Sequence, residues 1–171
     1  MVTAVVMRPG LGVLAAVLAI AWTVALASGS QAPGETLPVA LRTHLQAEQF
    51  QIVTGVRGFP LGVRDKLQEL FGSGTLDIAN PGEPFQRTPA PNASLPLRRL
   101  AVAGCASDNH CLIYYERGGA TVTHRAVLVH WSPAETRLEF GGTAPGALTN
   151  IDDVRKAMLS GAVKHTATTP W

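Results

Sequence analysis

The chain has 171 residues, 46% of them hydrophobic, and its 14 Lys and Arg residues nearly balance its 12 Asp and Glu residues. The formal net charge of +2 provides no basic field of the kind that attracts nucleic acid, and no run of basic residues supplies a local one. Composition therefore excludes a nucleic-acid partner and fits a globular domain.

The N-terminal segment has the layout of a secretory signal peptide. Arg8 is its only charged residue, residues 11–27 are uncharged and mostly apolar, and a small-x-small tripeptide ends at Ala27. The tripeptide favours cleavage after Ala27, whereas retention of residues 11–27 would leave a membrane anchor. We therefore expect a periplasmic or secreted domain over residues 28–171, with a form anchored through residues 11–27 as the alternative.

Two amphipathic helices are predicted in the first half of this domain. Leu37, Leu41 and Leu45 recur at intervals of four residues, which places them on one helix face. A second apolar stripe covers residues 61–71, and Gly72 follows where a left-handed residue commonly ends a helix. Both stripes predict helices that pack against a core.

The segments on either side of the second helix are less regular. Short strands are predicted over residues 50–56 and 75–79. Residues 80–96 hold five prolines and are too rich in proline for a regular element. A stretch of this length is interpreted either as a surface loop that crosses a sheet edge or as a linker.

The densest run of strand-forming residues lies between residues 97 and 131. It predicts an antiparallel β-meander whose hairpins turn at the polar residues 106–110 and at the glycine pair 118–119. A further strand with alternating character follows the meander. The four predicted strands cover residues 97–105, 111–117, 120–131 and 137–140.

Two cysteines, Cys105 and Cys111, flank the first of these turns, where their side chains would lie opposite each other. Five residues separate them, so their spacing matches neither the C-x-x-C redox motif nor a zinc knuckle. An exported protein meets an oxidising compartment, in which such a pair forms a disulfide. The sequence therefore predicts a structural disulfide between Cys105 and Cys111.

The glycine pair also predicts a register, because a two-residue turn would place Arg117 opposite Ala120. Residues 127–129 are apolar on both faces, which predicts that this end of the sheet is covered on both sides. Alternation from the predicted register gives an apolar face with Ile113, Tyr115, Val122, Ala126 and Leu128. The opposite, mixed polar face would carry Tyr114, Glu116, Thr121, Thr123 and Arg125.

The C-terminal part of the chain predicts one more helix. Asn150 is a capping residue for a helix over residues 151–160, with Asp152 and Asp153 at the positive end of the helix dipole. Gly161 then ends the helix. All elements together predict the α+β class: an antiparallel meander of four to five strands packed against two to three helices on its apolar face.

The polar face is the predicted ligand-binding surface. Tyr114, Glu116 and Arg125 form its most polar cluster, and Glu116 and Arg125 are predicted to pair across the strands. The alternative is an exported hydrolase that uses Glu116, His124 and Arg125, although no catalytic motif accompanies them. His124, predicted to lie beside an apolar strand residue, and His130 are about 20 Å apart along one strand, too far for one metal ion.

These observations predict a class of protein rather than a reaction. The expected function is that of an exported, disulfide-containing binding or accessory module of the cell envelope, with a protein or a small molecule as its ligand. No catalytic residue, cofactor or metal is predicted. Contact with a membrane is expected only through residues 11–27.

Overall fold

The computed structural model describes residues 36–88, 90, 92–107, 110–166 and 171. The predicted signal or anchor segment lies outside the described residues, as does the centre of the first hairpin turn. No helix in the described ranges is long and apolar enough to cross a bilayer.

Six antiparallel strands form one sheet, and their order across the sheet follows their order along the chain. The α+β class is confirmed, but the sheet has more strands than the four to five expected, because two-residue strands extend both of its edges. The strands are β1 (Gln51–Ile52), β2 (Arg98–Cys105), β3 (His110–Arg117), β4 (Thr123–Trp131), β5 (Thr136–Thr143) and β6 (Lys164–His165). The α-helices are α1 (Val39–Ala47), α2 (Leu61–Phe71) and α3 (Ile151–Leu159).

Helix ends follow the local capping signals. The bounds of α2 coincide with the predicted ones, and Gly72 ends it in the left-handed conformation with a φ of 61°. The side chain of Asn150 accepts a hydrogen bond of 2.9 Å from the backbone N–H of Asp153, which caps α3 as predicted. These signals act within one helical turn, so tertiary contacts do not override them.

The two short strands predicted beside α2 are largely absent from the described structure. Of residues 50–56, only Gln51–Ile52 pair with the sheet, and Ala79 makes a single parallel bridge to Arg99. The side-chain Oδ1 of Asn80 accepts a hydrogen bond of 2.9 Å from the backbone N–H of Val56, which leads the chain into a 3-10 turn instead. A hydrogen bond to the Asn80 side chain thus takes the place of the backbone pairing that a strand over residues 50–56 would have made.

The second hairpin differs from its prediction in register. Arg117 pairs with Thr123 across a loop of residues 118–122, so β4 is displaced by three residues relative to β3. The glycine pair is not the turn because Gly118 packs against the proline-rich loop. A Cβ at Gly118 would lie 1.4 Å from the carbonyl oxygen of Gln86. A displacement by an odd number of residues turns every side chain of β4 to the opposite face of the sheet, relative to β3, from the one predicted.

Apolar side chains cover both faces of the sheet, so the predicted faces and the predicted one-sided placement of the helices are wrong. Helices α1 and α3 pack on one face and α2 on the other. Residues 127–129 are fully buried, as predicted. We call the first side the α1/α3 face, with Leu112, Tyr114, Ala126 and Leu128, and the second the α2 face, with Ile113, Tyr115, Val127 and Val129.

The described part of the proline-rich stretch is packed onto the sheet. Phe85 is buried under the guanidinium of Arg99, which lies 4.6 Å from the ring centroid. The backbone of Gln86 donates to the carbonyl oxygen of Pro96 at 2.8 Å, and its side chain accepts from the backbone N–H of Asn92 at 2.9 Å. These contacts favour the surface-loop interpretation over the linker.

The two cysteines lie at the bonding distance that the sequence predicted. Cys105 pairs with Cys111 in the β2/β3 register, and their sulfur atoms are 2.00 Å apart. Replacing both by alanine is expected to lower the free energy of unfolding by about 2 kcal/mol, because the bond restricts the conformations of the unfolded chain and so lowers its entropy. Urea denaturation of oxidised wild type and of the variant measures this difference.

Chemically reduced wild type is the matched control for this prediction. It retains both side chains but lacks the crosslink, so it should unfold close to the urea concentration of the double variant. A variant as stable as the oxidised wild type would contradict the prediction.

Candidate functional site

The structure brings two of the three predicted ligand-binding residues together and separates them from the third. Tyr114 and Glu116 lie on the α1/α3 face, whereas Arg125 pairs with Tyr115 in the register and lies on the α2 face. The predicted ion pair between Glu116 and Arg125 is therefore wrong. Glu116 instead accepts a hydrogen bond of 2.6 Å from Nε of Arg99.

Tyr114 and Glu116 have neighbours on their own face. The Tyr114 ring stacks on His124, with ring centroids 5.7 Å apart, and its hydroxyl donates to the carbonyl oxygen of Pro145 at 2.9 Å. Burial raises the pKa of Tyr114, so the phenol stays protonated near neutral pH. His124 faces Glu116, with 4.0 Å between Nε2 and Oε1, rather than the apolar residue expected. The hydrolase grouping of Glu116, His124 and Arg125 thus spans two faces.

A different group of polar side chains converges at the other end of the α1/α3 face, where β3 begins. It combines residues from a helix and from three neighbouring strands. We call it the histidine cluster, and its members are His44, Glu48, His110, His130 and Glu139.

Local geometry places these side chains together. His44 lies on α1 and Glu48 is its C-cap, so the four-residue spacing puts both on one side of the helix end. His110 and His130 are directly opposite each other in the β3/β4 register. Cross-strand neighbours lie on the same face of a sheet, and here that face is the one under α1.

The shortest contacts join one carboxylate oxygen to two imidazoles. Oε1 of Glu48 lies 2.8 Å from Nδ1 of His110 and 3.1 Å from Nδ1 of His44. The His110 ring centroid is 5.0 Å from that of His44 and 5.3 Å from that of His130. His110 is therefore the central residue of the cluster, and its side chain is only 4% exposed.

Two polar atoms of the cluster are buried without a hydrogen-bond partner among the described residues: Oε2 of Glu48 and Nδ1 of His130. A buried carboxylate oxygen without a donor is unfavourable unless a cation is close by. Burial lowers the pKa of His130, and the nearby Arg137 and His110 lower it further. His130 is therefore neutral near pH 7 and has a lone pair for a ligand.

Four members of the cluster, His44, His110, His130 and Glu139, border a cavity of about 370 Å³ that solvent can reach, because His44 is 51% exposed. The set His44, Glu48 and His110 has ligand atoms within 4.8 Å of one another. A tetrahedral ion with bonds of about 2.0–2.1 Å needs ligand atoms roughly 3.4 Å apart, so small side-chain rotations would complete the geometry. The set His110, His130 and Glu139 has a similar spacing, but Arg137 already binds Glu139 at 2.7 Å.

Comparisons with protein-family models, with curated proteins and with solved structures found no match. The donors, two to three imidazoles and a carboxylate, are those that borderline divalent metal ions prefer.

Sequence reasoning missed this cluster and predicted no metal site. One signal was present: His44 and Glu48 have the i, i+4 spacing of ligands on one helix face. The second signal, the pairing of His110 with His130, depends on the correct hairpin register. The predicted two-residue turn would have placed residue 127 opposite His110, which hid the pair.

Proposed function

We propose that this protein is an exported, non-catalytic binding domain whose histidine cluster holds a divalent transition-metal ion. The observation that carries the proposal is the convergence of His44, Glu48 and His110, with Oε2 of Glu48 buried and unpaired. A metal ion would replace the missing partner of that oxygen. His130 stands next to His110, with ring centroids 5.3 Å apart, and lies outside this set of three donors.

The donor set favours Zn²⁺, Cu²⁺ or Ni²⁺ over Ca²⁺ or Mg²⁺. The latter ions take oxygen ligands almost exclusively, whereas imidazole nitrogen suits the transition metals. Three protein donors leave a coordination position for water, on the side where His44 is exposed. The site is thus open to exchange of its ion with the surroundings.

Export is supported by the N-terminal pattern and by the cysteine pair. The uncharged stretch over residues 11–27 and the small-x-small tripeptide are typical of a signal peptide. The crosslinked Cys105 and Cys111 fit an oxidising compartment such as the periplasm or the exterior. This location is compatible with an accessory role in the cell envelope, with membrane attachment only if the N-terminal segment is retained.

Binding rather than catalysis is proposed because the residues predicted for catalysis are not brought together in the structure. The residues of the alternative hydrolase, Glu116, His124 and Arg125, lie on two faces of the sheet and have no common substrate position. Metal binding needs only the geometry that is already present.

Calorimetric titration of the untagged, EDTA-treated chain with Zn²⁺ tests the proposal. We expect one ion per chain, and His44→Ala and Glu48→Gln should each weaken binding by about 100-fold or more, because the first removes a nitrogen donor and the second replaces a charged carboxylate donor with a neutral amide. Zinc at about 100 times its Kd should also raise the free energy of unfolding of wild type by about 2.7 kcal/mol.

His124→Ala is the matched control, since it removes a histidine on the same face but outside the cluster. His44 is exposed, so its variant remains informative even where His110→Ala fails to fold. Equal zinc affinity in wild type and His44→Ala, or an equal loss in His124→Ala, would overturn the assignment.

A further inference from the structure

Three arginines surround a buried tyrosine on the α2 face, on the side of the sheet away from the histidine cluster. Arg98 of β2 pairs with Arg117 of β3 in the register, and Arg125 of β4 pairs with Tyr115 of β3. Since Tyr115 and Arg117 are two residues apart, all four side chains leave the sheet on the same face. We call Arg98, Arg117, Arg125 and Tyr115 the arginine cluster.

Most of this cluster is removed from solvent. Arg98 is 3% exposed, Arg125 is 8% exposed and Tyr115 is fully buried. Arg117 is half-buried, so it is the member through which solvent reaches the group. Guanidinium groups are rarely buried without partners, because each carries a permanent charge and five N–H donors.

One member of the cluster is well paired. Nη1 of Arg98 binds the carboxylate of Asp77 at 2.8 Å, Nε donates to the backbone oxygen of Trp171 at 2.8 Å, and Nη2 donates to the same oxygen. Its guanidinium also lies over the Phe71 ring, 4.0 Å from the centroid. Arg98 therefore has a structural role in holding the α2 face together.

The other members lack acceptors. Nε of Arg125, Nε of Arg117 and the hydroxyl of Tyr115 are buried without a hydrogen-bond partner among the described residues. Among the described residues, the side chain of Arg125 makes one hydrogen bond, from Nη1 to Oγ1 of Thr143 at 2.6 Å. Within the part of the chain that the structure describes, Asp77 is the one carboxylate side chain that pairs with this cluster of three guanidiniums, and the backbone oxygen of Trp171 also accepts from Arg98.

The charges of the cluster oppose one another. Burial lowers the pKa values of Arg98 and Arg125, and the charge of Arg117 lowers both further. Burial raises the pKa of Tyr115, although all three arginines act in the opposite direction. The phenol is therefore a neutral donor at neutral pH, and an excess of positive charge remains beside it.

We propose that the arginine cluster binds a small tetrahedral oxyanion of the phosphate class. Such an anion has several acceptor oxygens, enough for Nε of Arg117, Nε of Arg125 and the hydroxyl of Tyr115 together. It also offsets the excess positive charge, and the planar guanidinium is suited to oxyanion recognition. This site is independent of the proposed metal site, since it lies on the other face of the sheet.

Thermal unfolding with inorganic phosphate tests the proposal, at constant ionic strength and with EDTA present so that the histidine cluster is metal-free. We expect the Tm of wild type to rise with phosphate and to saturate at millimolar concentrations or below. Arg117→Gln should raise the apparent Kd at least about 10-fold, because it removes a charged donor at the entrance. Arg137→Gln is the matched control and should leave the Kd unchanged, because Arg137 is half-exposed and belongs to the other face.

Tyr115→Phe provides a second readout that a merely structural arginine cluster would not give. It should weaken phosphate binding while raising the Tm of the anion-free protein, because the buried hydroxyl without an acceptor is removed. A Tm rise that does not saturate, or that is identical in wild type and Arg117→Gln, would show only the general stabilising effect of phosphate salts and would overturn the proposal. A stronger effect of acetate, lost in Arg117→Gln, would overturn the tetrahedral assignment.

Discussion

Leu112→Ala is expected to lower the free energy of unfolding by about 2–5 kcal/mol, since it leaves a cavity in a core that cannot close around it. Leu112 is fully buried in β3, where Gly104 and Leu128 are its partners on the flanking strands. Its side chain belongs to the core that the sheet forms with α1 and α3, so the substitution removes contacts within that shared core. Urea denaturation monitored by circular dichroism measures the change.

Ile52→Ala is the control for this substitution. Ile52 is 60% exposed on the edge strand β1, so truncating it should change the free energy of unfolding by no more than about 0.5 kcal/mol. Equal losses from both substitutions would show that burial in the sheet centre does not determine stability here.

Alkaline solution is expected to destabilise the protein through its tyrosines. The chain has two, Tyr114 and Tyr115, and both are buried. Burial raises both pKa values in the folded state, whereas unfolded tyrosine ionises near pH 10. The resulting stability is complete below about pH 10 and falls as the pH rises, by about 1.4 kcal/mol per pH unit for each tyrosine that remains protonated when folded.

Absorbance at 295 nm, which reports phenolate, measures this effect directly. We expect little phenolate in the folded protein above pH 10, followed by its appearance together with the loss of circular dichroism as the chain unfolds. Tyr115→Phe should reduce the pH dependence. Ionisation of both tyrosines near pH 10 with an intact dichroism spectrum would contradict the predicted shifts.

Local sequence signals predicted the helices and the disulfide well. The end of α2 at Gly72 and the cap of α3 at Asn150 each depend on a few neighbouring residues. The pairing of Cys105 with Cys111 likewise follows from a short turn. No distant contact competes with these interactions, so the sequence pattern was sufficient.

The register of the second hairpin could not be predicted in this way. A glycine pair between two strand patterns favours a two-residue turn, but Gly118 is required for close packing against Gln86. That contact comes from a part of the chain more than thirty residues earlier in sequence. The incorrect register hid the pairing of His110 with His130. It also placed Arg125 on the wrong face of the sheet.

The arginine cluster shows a second limit. Arginines in a strand with alternating character predict a solvated face, because charged side chains are seldom buried. Here Arg98 and Arg125 are buried on the α2 face. The packing of Phe71 over Arg98 explains one of them, and only the structure reveals it.

The sequential order of the strands has a consequence for how the protein is made. Strands β2 to β5 each pair with their immediate successor, so the central sheet forms from contacts between segments close together in the chain. Such topologies assemble quickly, because little chain entropy is lost before each hairpin closes. The central hairpins are therefore expected to form early when the chain folds.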